Sequence, residues 1–342
     1  MSTESNNPVN IFLRLYGVCF VPLLVLLVVY GLYYRTYLEF IESSPSKVLF
    51  SKGLKPAEVS ILDNNVTGAD VAALNNNAYA ARTLWSGIFY LHICISLAVM
   101  AIGFYVLRES TRGYSPLLFR SIFVVFILYI LGQIFIFSQT GSYQVIRQLL
   151  SETIASAQYS SFPNIVNFVV LLDKIGFLVA SLLVITAGLT LLKPTKENLP
   201  AEKYLSNQMS LLKVVLYAGT GVFISTIFMW SFTLRWALVY IYPIEGFYYD
   251  SVVSVANSQV IVRGIYFSVL LSATYLPTAA IQYWRASRIA QQAIPDALSS
   301  ERGNWLREKG IGISPAEFLP RLAAILGPVM AGSISELFKL LQ

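Results

Sequence analysis

Six apolar segments of membrane-spanning length constrain this chain more than any other feature. A hydrocarbon core ~30 Å thick takes ~20 helical residues to cross, and residues 11–34, 84–107, 117–139, 164–192, 211–242 and 259–284 each reach that length. Inside lipid, helices satisfy their own backbone hydrogen bonds, whereas open strands and loops leave theirs unmade. Composition agrees: 56% of residues are apolar and only 12% charged, with a mean hydropathy of +0.63. So few charges do not dress a water-soluble surface. The expected fold is all-α, a polytopic transmembrane helical bundle of six spans arranged as three hairpins. Residues 1–285 form its transmembrane domain, and residues 286–342 a cytoplasmic or interfacial amphipathic helical tail. The first apolar run is too long for a secretion signal and meets Arg35, Glu39 and Glu42 without a small-residue cleavage site, so it reads as a retained span.

Basic residues set the orientation. Arg108, Arg112 and Arg120 lie between spans two and three, Lys193, Lys196, Lys203 and Lys213 between four and five, and Arg285 and Arg288 after span six. Loops rich in Lys and Arg stay in the cytoplasm, which places both termini there and the protein in a plasma (inner) membrane. The 140–163 loop carries only Arg147 and the 243–258 loop no basic residue, as external loops should. A net charge of +6 spread along membrane flanks, with no basic stripe, argues against nucleic acid as a partner.

The connecting segments carry local signals. Thr67, Gly68, Ala69 and Asp70 form a helix start leading through Ala72, Ala73 and Ala80 into span two. Asp63, Asn65, Thr67 and Gly68 copy half of a calcium loop, but Leu74 stands where the bidentate glutamate belongs, so a turn is expected there. Asn65, Val66 and Thr67 also form a glycosylation sequon. In the tail, Pro295 and Asp296 open a helix ending near Gly310, and Ser314, Pro315 and Glu317 start another. Gly327 and Pro328 then predict a break, giving a helical hairpin at the interface or against a partner, with membrane insertion of the segment as the alternative.

Candidate functional residues are the ionisable or amide groups inside spans, because a charge at a helix centre costs ~2.5–3.5 kcal/mol even on the lenient insertion scale. His92, Gln133, Asp173, Lys174, Arg235 and Arg263 are these groups. At ~1.5 Å per residue from the expected external ends, Arg263 lies ~6 Å deep, Arg235 ~10 Å, His92 ~12 Å and Asp173 ~14 Å, which puts all four in the outer half. Asp173 shares a helix face with Gly176, Ala180 and Ala187, and His92 with Ser96 and Gly103, so both face other helices. Asp173 is expected to pair with Arg235 or Arg263. Against a functional role, Arg263 and Lys174 lie close enough to an interface to snorkel, and one buried pair serves equally to fix helix register.

Missing chemistry narrows the function. A single histidine excludes a bis-histidine haem and an HExxH zinc site, and no GxxxxGK loop or TVGYG filter occurs. Cys19 and Cys94 both sit inside apolar runs, as buried inert thiols do. His92 with Ser96 lacks a third, orienting group, so no enzyme, metal or cofactor is expected. The sequence favours a pore-forming or transport component built on the outer polar cluster, because four charges at one depth exceed what register needs. The alternative is a non-transporting membrane scaffold or sensor acting through residues 35–83 and the tail. The expected partners are membrane lipid and either further copies of the chain or the other subunits of a membrane complex.

Overall fold

The structure, a computed structural model, describes residues 68–111, 162–192, 200–239, 247–312 and 315–337, with isolated helical positions at 123, 124, 127 and 131. The expected first span, most of the third and most of the 35–83 loop, including the calcium-like fragment and the sequon, lie outside these residues. Among the described residues every regular element is a helix: α1 (Gly68–Thr111), α2 (Phe162–Leu189), α3 (Ala201–Val239), α4 (Phe247–Ala293), α5 (Ser299–Glu308) and α6 (Pro315–Leu337). Four of them, α1, α3, α4 and α6, contain stretches long and apolar enough to cross a membrane.

Helix α1 begins at Gly68, where the sequence signals its start, and enters the bundle without interruption. Its buried positions are Trp85, Phe89, His92, Ser96, Val99, Gly103, Val106 and Ser110, separated by alternating steps of four and three residues. That 3.5-residue repeat is the seam of a left-handed helix pair, and its partner is α3. Helix α3 is the most buried of the four long apolar helices, with α1, α2, α4 and α6 all packed on it. Helix α4 starts at Phe247, so most of the expected 243–258 external loop is instead the first turns of a 47-residue helix. It runs through Pro277, flanked by Ser272, Thr274 and Thr278, whose hydroxyls donate to carbonyls one turn back.

At one end of the bundle α4 also closes α2. The last carbonyls of a helix have no internal donor, and here the Gln282 amide donates to the Thr190 carbonyl at 3.3 Å and the Arg285 guanidinium to that of Leu191 at 2.6 Å. Helix α5 starts at Ser299, four residues later than expected, because Glu301 accepts the Leu298 N–H at 3.0 Å and fixes the first turn there. It ends as expected at Gly310, whose φ of 69° suits a residue without Cβ. A small core of Leu205, Met209, Ala286, Ala290, Leu306 and Ile311 holds it against α3 and α4.

Helix α6 departs most from the sequence reading. No break occurs at Gly327 and Pro328; one helix of 23 residues runs through Pro320 and Pro328 and lies against α3 and α4. Proline removes the donor for the carbonyl four residues back, which for Pro328 is that of Ala324. The Thr220 hydroxyl of α3 supplies the replacement, shared between the Ala324 and Leu216 carbonyls at 2.9 Å each. Glycines allow the close approach: a Cβ on Gly264 of α4 would lie 2.6 Å from the Pro328 carbonyl oxygen. Contacts from Lys213–Glu317 through Thr220–Ala324 advance together along both chains, so α6 runs parallel to α3. Against α4, Arg321 meets Tyr275 and Gly332 meets Val260, an antiparallel packing.

Thr220→Val is therefore expected to destabilise the protein by ~1–2 kcal/mol, read from its denaturation midpoint in detergent. In a Pro328→Ala background, where the helix regains its own donor, the same change should cost close to nothing. Equal costs in both backgrounds would refute the role given to Thr220.

Candidate functional site

Polar groups stand at both ends and in the middle of the α1–α3 seam, with Val99, Gly103 and Val106 between Ser96 and Ser110. At one end the Trp85 indole N–H donates to Thr233 Oγ1 at 2.9 Å, and the Trp85 ring lies 4.9 Å from that of Trp236. Two turns along α1, His92 is only 1% exposed, and its Nδ1 lies 2.9 Å from Ser225 Oγ. The Ser225 hydroxyl spends its single proton on the Val222 carbonyl at 2.8 Å. Ser225 Oγ is therefore the acceptor, His92 Nδ1 the donor, and His92 Nε2 a bare lone pair.

That lone pair has no partner among the described residues, and four more buried seam atoms share its condition: Ser96 Oγ, Ser110 Oγ, Gln208 Oε1 and Trp236 Nε1. Each step along α1 is matched by a step back along α3. Ser110 lies 25 residues beyond Trp85 and Gln208 lies 25 residues before Thr233, so one register places them level. Among the described residues Gln282 Oε1, on α4, is a further buried atom without a hydrogen-bond partner. Buried polar atoms almost always find a protein or water partner, and five on one line mark this seam as the polar feature of the bundle.

Of the residues singled out in the sequence, three have described side chains. His92 lies in the seam. Arg263 on α4 places its guanidinium 3.7 Å from the centre of the Trp230 ring, and Arg235 lies 5.7 Å from that of Phe232, both cation–π arrangements. They do not share one level: Arg235 stands ten residues along α3 from the His92 partner Ser225, roughly 15 Å at ~1.5 Å per residue. Helix α2 carries Asp173 and Lys174 in its backbone, but their side chains, and Gln133 altogether, lie outside the described residues, as does the expected pairing of Asp173 with Arg235 or Arg263.

A second cluster, not anticipated as a site, joins α6 to α3 and α4. Glu317 Oε1 accepts from Lys213 Nζ at 3.0 Å and its Oε2 from the Arg321 guanidinium at 2.9 Å. Arg321, 5% exposed, also donates to the Tyr275 hydroxyl at 3.2 Å. One carboxylate thus balances two cations, one of them buried. The position four residues before Arg321 signalled this i, i+4 pair, but nothing local signalled Lys213 or Tyr275. Beside it, Ala180, Leu183, Leu216, Phe223, Leu271 and Tyr275 are among the residues lining a cavity of about 20 Å³, room for roughly one water.

Comparison with protein-family models, with curated proteins and with solved structures finds no match to this chain. Function is therefore argued from the groups themselves. Among the described residues no three metal-ligating side chains come together.

Because Arg321 is buried and Glu317 is its counter-charge, Glu317→Leu should destabilise the protein more than Arg321→Met. The first strands a buried cation, at a cost of ~3 kcal/mol; the second leaves the Lys213–Glu317 pair intact. Thermal unfolding of both variants in detergent measures the order, and the reverse order would contradict the buried-cation argument.

Proposed function

We propose that this chain is a pore-forming or transport component of a membrane, with the α1–α3 seam as its internal route for water and small polar solutes. One observation carries the reading: buried polar atoms with no partner among the described residues stand at three levels of the seam, at Trp236, at His92 and Ser96, and at Ser110 and Gln208. Trp236 and Gln208 are 28 residues apart on α3, roughly 42 Å of helix, against a hydrocarbon core of ~30 Å. A dry seam would leave each atom unsatisfied in a low-dielectric interior; water along it satisfies them all. The membrane setting rests on four helices long and apolar enough to cross, and the loop charges favour a plasma (inner) membrane.

The competing reading, a scaffold or sensor without transport, is favoured by the small apolar cavity at the bundle centre, which has no room for a solute. In either case the exposed aromatic face of α1, with Tyr79, Tyr90, Phe104 and Tyr105, meets lipid, a second copy or another subunit. In the transport reading α6 is a membrane span. Parallel to α3, it carries the C-terminus to the external side, in place of the cytoplasmic position expected from the sequence.

Liposomes containing the purified protein should show water or proton permeability above empty vesicles, read by light scattering and an internal pH dye. Ser96→Leu, which places a larger apolar group in the seam, should lower it at least tenfold. Silent wild-type liposomes would overturn the transport reading in favour of the scaffold. Separately, a protease-cleavable tag after Gln342 should be cut from outside intact cells, whereas one inserted at Asp296 should be protected; protection of both would remove α6 from the membrane.

A further inference from the structure

We infer that His92 Nε2 and the Ser96 hydroxyl form an internal binding site for one neutral hydroxylic ligand, a water molecule, seated opposite Gly221 of α3. The inference deepens the proposed route along the seam and rests on that reading for the path by which water arrives.

The site has an acceptor, a donor and space. With Nδ1 committed to Ser225, the imidazole presents only the bare Nε2 lone pair, which takes a hydrogen-bond donor. Ser96, one helical turn along the same buried face and 1% exposed, offers a hydroxyl with no protein partner. The register that sets His92 opposite Ser225 sets Ser96 opposite Gly221, four residues further along α1 and four back along α3. Gly221 lies on the same face of α3 as Ser225, and a Cβ built on it would meet no atom within 4 Å. Gly221 is itself only half-buried, so this open space borders the two unpartnered groups from the partly exposed side of the seam.

Charge excludes an ion as the resident. The buried stripe of α1 from Trp85 to Ser110 contains no carboxylate, lysine or arginine, so a charged ligand finds no counter-charge on that face of α1. Water fits: it donates to His92 Nε2 and exchanges a second bond with Ser96, and the same geometry accepts the hydroxyl of a small alcohol.

His92 is the only histidine in the chain, so imidazole-¹⁵N-labelled protein in bilayers gives one ring to observe by solid-state NMR. The expected spectrum has Nδ1 protonated, Nε2 unprotonated, and a magnetisation-transfer peak from water protons to Nε2. Gly221→Val should abolish the water peak while Nδ1 stays protonated, since the added carbons enter open space. Ser225→Ala should release the tautomer preference. A proton on Nε2 in the wild type, or a bare Nε2 without a water peak, would overturn the site. Because the spectrum needs no flux, a water peak in protein that is silent in liposomes would refute the transport reading and leave the site standing.

Discussion

A helix bundle in hydrocarbon has no solvent with which to pair a stranded donor or acceptor, and in this chain that constraint converges on α3. The most buried of the four long apolar helices, α3 packs against α1, α2, α4 and α6, so a polar group on its buried faces must be answered from within the bundle. Its hydroxyls answer much of the demand locally: Thr220, Ser225, Thr226 and Thr233 all donate to α3 carbonyls a turn or less away. What α3 offers beyond that decides its neighbours. Thr220 repairs the gap left by Pro328 in α6, Ser225 fixes the His92 imidazole, and Thr233 receives the Trp85 indole.

The two sides of α3 solve the problem differently. Toward α6 and α4 the polar groups close on one another, with Glu317 between Lys213 and Arg321 and the Tyr275 hydroxyl completing the arginine's bonds. Such a cluster holds helices in register, and its glycines, Gly264 and Gly327, bring backbones close enough for dispersion to act. Toward α1 the bonds of Trp85 to Thr233 and His92 to Ser225 cross the seam, while His92 Nε2, Ser96 and Ser110 keep buried atoms with no partner among the described residues.

Much of the fold was legible from sequence because its signals are local. The start of α1 at Gly68, its buried face through His92 and Ser96, and the end of α5 at Gly310 all follow from neighbouring residues. The misreadings come from distant partners. Gly327 and Pro328 look like a break because Thr220, which supplies the missing donor, lies 104 residues before the Ala324 carbonyl it serves. Glu317 does sit in the first turn of α6, as its start signal required, but Lys213, which shares its carboxylate, is also 104 residues distant and left no local sign. His92 was visible as a buried group, but α3 carries too many hydroxyls for Ser225 to be chosen as its partner without the register of the two helices. Arg235 departs from its expected depth for the same reason: levels counted from loop ends ignore where helices meet, and it stands ten residues along α3 from the partner of His92.

The rest depends on α3 as the buried axis of the bundle, with α6 beside it and parallel to it. Disulfide trapping tests this directly. In a background lacking Cys19 and Cys94, Thr220→Cys and Gly327→Cys should crosslink rapidly in native membranes, since a Cβ at Gly327 lies 3.1 Å from the Thr220 methyl carbon. Efficient trapping of that pair, with none between Thr220→Cys and Ser335→Cys, is the result this architecture requires. No crosslink between positions 220 and 327 in folded protein would contradict it.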